Sequence, residues 1–161
     1  MGLFSKWFKN PEPDMEKSSA NAKKVRALFD QAVEHGENYR LIVGYTEDVQ
    51  RFNYGFVHGS KTQIGNLIVG WNEAANTIAV VPSVPDLSGC GEAVYYRREE
   101  IYKAYRNKYP TDAFIIYPDH KGYIAINAYE WLEDESLYIY LYQKEELEAF
   151  TDFFLHTFST K

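Results

Sequence analysis

Cysteine is almost missing from this chain, with one residue, Cys90, among 161. A lone thiol excludes an intramolecular disulfide and any zinc site built on paired cysteines. Histidine is thin too: His35, His58, His120 and His156 are scattered, with no i,i+4 pair to hold a metal from one helix face. No apolar run approaches the roughly 20 residues of a membrane-spanning helix. Nothing resembles a secretory leader, because Lys6 and Lys9 break the short apolar start and Asn10-Pro11-Glu12-Pro13-Asp14 follows it. Excess positive charge is also absent. The formal net charge is −6, which argues against nucleic-acid binding, since that affinity comes from Lys and Arg on phosphates. The expectation is a small, acidic, cytoplasmic protein of bacterial type that needs no cofactor or metal.

What the chain does have is aromatic: 14 Tyr, 10 Phe and 3 Trp. Tyrosine joins a large apolar body to a polar tip and suits half-buried positions and binding surfaces.

Residues 1–13 read as a separate unit, and 14–161 as one domain. Leu3, Phe4, Trp7 and Phe8 recur at i,i+4 spacing, flanked by lysines and followed by a two-proline linker. Such a stripe resembles an interfacial membrane anchor, although it is barely two turns long and would bind weakly. It is not a myristoylation signal, since Lys6 stands where Ser or Thr is required.

A helix is predicted over 14–35, capped by Asp14, with Val25, Leu28, Phe29, Ala32 and Val33 as its apolar stripe and Gly36 as its stop. Four alternating segments follow: Tyr39 to Tyr45, Phe52 to His58, Leu67 to Trp71, and Ile78 to Val80 before Pro82. Their short polar joints force antiparallel neighbours. Residues 83–91 read as a loop. Residues 92–97 fit strand or helix, and a middle helix is predicted over about 97–108 from Ile101, Tyr102, Tyr105 and Tyr109, stopped by Pro110. Residues 114–117 and 123–128 flank Pro118-Asp119-His120-Lys121-Gly122, which is hairpin chemistry. Residues 136–143 alternate strictly, and Leu147, Phe150, Phe154 and Phe158 mark a terminal helix from Lys144. The fold class is α+β: an antiparallel sheet of about seven strands, a meander of four and then three, in the order α-β4-α-β3-α with helices on one face. In element order alone, without a shared motif, this partly resembles pleckstrin-homology-like and profilin-like domains.

Each candidate for chemistry has a simpler rival. Cys90 lies in Gly89-Cys90-Gly91 before a possible helix, where a thiol could be activated. A nucleophile also needs a base, and only His58 and His120, both at turns, are on offer. Gly55 to Thr62 departs from the phosphate-loop spacing and lies between strands, so it reads as a hairpin turn. Asp119-His120 reads as a polar turn. Glu133-Asp134-Glu135 reads as a solvated turn, because metal loops need spaced oxygens. Glu99 and Glu100, among Arg97, Arg98 and Lys103, read as an exposed face.

The most informative feature is the segment in which Tyr138, Tyr140 and Tyr142 point one way and Leu137, Ile139 and Leu141 the other. Tyr102, Tyr105 and Tyr109 could cover that tyrosine face, or it could be open to a partner, since exposed aromatic patches mark interaction sites. The reading is a non-catalytic protein-binding module, of the kind seen in immunity proteins and secretion chaperones. Its expected site is Tyr138, Tyr140 and Tyr142 with Tyr102 and Tyr105, and its expected partner is another protein. The alternatives are a peripheral membrane adaptor through Leu3, Phe4, Trp7 and Phe8, and an enzyme with a Cys90 nucleophile.

Overall fold

The computed structural model describes residues 12–48, 64–109 and 112–160. The expected membrane stripe Leu3, Phe4, Trp7 and Phe8, the expected strand from Phe52 to His58 and the turn after it lie outside the described residues.

Helix α1, Met15–Ala32, starts where predicted: the Asp14 carboxylate accepts from the Lys17 N–H at 3.1 Å. Its buried side is Ser18, Val25 and Phe29. The stop differs from expectation. The left-handed residue is His35, at φ 57°, and Gly36 opens a short 3-10 turn, Gly36–Asn38. A Cβ on Gly36 would press on Asp30, whose side chain would have to shift.

Among the described residues, seven strands form one sheet: β1 Arg40–Thr46, β2 Gly65–Asn72, β3 Thr77–Ser83, β4 Val94–Arg97, β5 Lys103–Asn107, β6 Ala113–Tyr117 and β7 Ile124–Asn127. The order is β4-β3-β2-β1-β7-β6-β5, and every pairing is antiparallel. An antiparallel sheet of seven strands with an N-terminal and a C-terminal helix agrees with expectation; the expected order does not. The members differ. The expected middle helix over 97–108 is instead a single turn at Arg97 followed by β5. The reason is pairing: Lys103 to Asn107 register against Tyr117 to Ala113, and Ala104 is buried between its half-exposed neighbours.

The two halves of the sheet barely touch. β1 and β2 are in register over seven pairs, whereas β1 and β7 share one, Tyr45 with Asn127. A Cβ on Gly44 would lie 2.7 Å from the Asn127 carbonyl, so glycine permits this crossing.

Helices cover opposite faces, not one. Residues of β2 and β3 are buried almost throughout, which marks strands with a layer on either side. On one face Ile42, Val69, Trp71, Phe114 and Ile116 pack beneath Phe150, Phe154 and Phe158. These phenylalanines come from α2, Lys144–Phe153, and its π-helical continuation, Phe154–Phe158. On the other face Val43, Ile68 and Val81 pack beneath Val25 and Phe29 of α1. After the last turn, the Thr160 N–H donates to the Ala104 carbonyl at 2.8 Å and covers part of the β5 edge.

Residues 136–143 are not the predicted strand. Only β9, Leu141–Tyr142, pairs with β8, Trp131–Leu132. The stretch before it is a strap over the α1 face of the sheet, held by side chains. The Asn66 amide donates to the Leu137 carbonyl at 2.7 Å and accepts from the Ile139 N–H at 2.9 Å. Asn21 donates to the Tyr140 carbonyl, and Ser18 accepts from the Tyr142 N–H. Polar side chains thus do what a neighbouring strand would do.

Past β9 the chain passes through the gap between β1 and β7 to begin α2 on the far face. Gln143 fills that gap at 2 % exposure. Its side-chain oxygen accepts from the Val43 N–H at 2.8 Å, and its Nε2 donates to the Val43 and Tyr129 carbonyls at 2.7 and 2.9 Å.

Candidate functional site

The strap places the three tyrosines expected at the surface. Tyr140 is 9 % exposed; its hydroxyl accepts from the Asp14 N–H at 2.9 Å, and Lys17 lies over its ring. Tyr138 is half-buried with its ring centroid 5.1 Å from that of Tyr45, and burial raises its hydroxyl pKa. Tyr45 in turn shares a 2.9 Å hydroxyl–hydroxyl bond with Tyr129. Desolvation, followed by that bond and the neighbouring phenols, pushes its pKa well above the ordinary tyrosine value. Tyr142 is half-buried beside Ser18.

Tyr102 and Tyr105 do not cover that strap. They belong to a second aromatic group at the β6–β7 turn. On β6, Phe114 and Ile116 enter the α2 core, so alternation sends Tyr117 to the other face. Lys103 is opposite Tyr117 in the register, and Tyr105 is its diagonal neighbour. The Tyr105 and Tyr117 rings stack at 6.4 Å between centroids, and Tyr117 meets Tyr123 at 5.2 Å. The Lys103 ammonium lies 4.6 Å from the Tyr117 centroid and 5.6 Å from that of Tyr105. Tyr102 falls on the other side of β5 and packs on His120, with centroids 3.9 Å apart. Tyr102 and Tyr123 are about half exposed, at 51 % and 47 %.

Lys103 and Lys121 outnumber Asp119 at this cluster of an anionic protein. Lys103 and the exposed Lys121 carry charge, while Arg106, nearby on β5, is held bidentate by Asp112 at 2.9 and 2.7 Å. Asp119 accepts from the Lys121 N–H, the polar turn that the sequence suggested. Tyr117 and Tyr123 were missing from the sequence-based site. Both flank the hairpin turn, and their equal distance from its centre was the available signal.

No helix follows Cys90, because residues 92–93 lead into β4. Its thiol contacts the Leu28 carbonyl at 3.8 Å, and burial raises its pKa, the reverse of activation. His58 is outside the described residues, and His120 packs at a tilt against Tyr102. In the acidic turn, Asp134 accepts from Ser136 and Glu135 pairs with Lys17. Among the described residues, no three His, Cys, Asp or Glu side chains are grouped as a metal site. Among the same residues, no helix is long and apolar enough to cross a membrane. No family model, curated protein or solved structure matches the chain.

Proposed function

We propose that this protein is a non-catalytic binding module that engages an acidic protein partner through the aromatic cluster at the β6–β7 turn. The observation that carries this reading is the grouping of Tyr105 and Tyr117 around Lys103, with Tyr123 against Tyr117, Tyr102 on the other side of β5, and the rings of Tyr102 and Tyr123 half exposed. Tyrosine anchors interfaces at low entropic cost, and a lysine held against two rings favours a carboxylate on the partner. Tyr138, Tyr140 and Tyr142 lie outside this site and fix the strap. The test is a tagged capture from native lysate with the wild type and with Tyr102→Ala/Tyr123→Ala. One stoichiometric acidic partner, lost in a double variant of unchanged melting temperature, supports the reading. Equal recovery by both proteins refutes it.

A further inference from the structure

The outer edge of β1 is the seam between the two halves of the sheet. Alternation turns every second residue of β1 toward it. Tyr45 meets Asn127 there, and Val43 gives both backbone groups to Gln143. Tyr39, just before the strand, gives its carbonyl to Arg26 at 2.7 Å and its N–H to Gly36. Among the described residues, no hydrogen bond reaches Leu41 from this side. Leu41 lines a cleft of about 290 Å³ between α1 and the start of α2.

The walls say what would fit. Met15, Ala22 and Val25 are apolar, and Glu146 on the opposite side has no ion pair among the described residues. Arg26 is already committed to Asp30, Tyr39 and Gly36, so it is a wall and not an anion site. A donor and an acceptor side by side on a strand edge match one group best, an extended peptide backbone. The volume, near the lower bound for ligand pockets, suits two or three residues of such a chain. We infer that this cleft binds an extended peptide segment, which pairs with Leu41 as a short added strand and sets a basic side chain against Glu146. It uses none of the tyrosines of the proposed aromatic site, so either reading can fail alone.

The test is proton–nitrogen NMR of the full labelled chain titrated with the blocked tetrapeptide acetyl-Val-Lys-Val-Thr-amide. The Leu41 amide should shift with a millimolar Kd, and backbone N-methylation of the peptide should weaken binding by up to about tenfold, the worth of one hydrogen bond. Glu146→Lys should weaken it severalfold, and Ala22→Trp should abolish it by filling the cleft. Tyr102→Ala/Tyr123→Ala should leave it unchanged. A Leu41 amide that stays still at about 10 mM peptide, roughly tenfold above the expected Kd, would overturn the proposal. Equal shifts from the N-methylated peptide would do the same. A Leu41 signal that moves on dilution of the protein alone would assign the cleft to a second copy, and would also overturn it.

Discussion

Replacing Gln143 by leucine should cost more stability than its position outside any long strand suggests. The amide completes the backbone of Val43, a residue with no solvent exposure, through one accepted and one donated bond, and donates a second to Tyr129. Leucine fills the space but orphans the Val43 N–H and C=O. An unmet buried group costs about 1–3 kcal/mol, and the neighbouring cleft lets water relieve part of it, so a loss of about 3 kcal/mol is expected. For a chain of this length that corresponds to a fall of roughly 10 °C in melting temperature. Gln143→Glu sharpens the test. The introduced carboxylate could still accept from Val43 N–H but would face two carbonyls with no proton to give. The folded state therefore raises its pKa above the ordinary glutamate value of about 4.3. A raised pKa means that the variant is closest to wild type below that value and loses stability as pH rises through the folded-state pKa. The assay is thermal unfolding of all three proteins at acidic and neutral pH, each variant compared with wild type at the same pH. Two variants that melt with the wild type, or a Gln143→Glu deficit that does not change with pH, would refute this account of the seam.

Tyr45 should ionise only above the usual tyrosine range, seen as a late step in an alkaline absorbance titration that Tyr45→Phe removes. Because its folded pKa is raised, its contribution to stability is whole below the ordinary value of about 10 and is lost as pH climbs through the folded one. Cys90 should react with iodoacetamide more slowly than a free thiol at mildly alkaline pH and at the free rate after unfolding; fast labelling of the native protein would contradict its burial. Gly44→Ala should destabilise by about 1–3 kcal/mol, the usual cost of forcing atoms into a packed site, because the new methyl meets the Asn127 carbonyl. An unchanged denaturant midpoint would show that β1 and β7 can separate freely.

The local features were legible. Asp14 capped α1, the stripe from Val25 to Val33 faced the core, and Phe150, Phe154 and Phe158 came together as spaced. The errors share a cause: the deciding partner is distant in sequence. Ile101, Tyr102, Tyr105 and Tyr109 fit a helical stripe equally well, and pairing with β6 decided for a strand. The Leu–Tyr alternation before Gln143 has the period of a strand, but its partners are Asn66, Asn21 and Ser18 side chains, which no local pattern announces. The burial of both sheet faces was hinted at by the unbroken apolar runs Leu67-Ile68-Val69 and Ile78-Ala79-Val80-Val81. Of the site, Tyr102 and Tyr105 were picked out beforehand, while Tyr117 and Tyr123 needed the register of the hairpin.

The passage of the chain through the seam also bears on synthesis. Leu132, Ile139 and Leu141 complete one core, and Phe150, Phe154 and Phe158 complete the other. Both sets follow the seven strands of the large sheet, so a nascent polypeptide that has already made those strands has α1 over one face but neither core complete. The face that α2 covers stays open to solvent until residues 144–158 have left the ribosome.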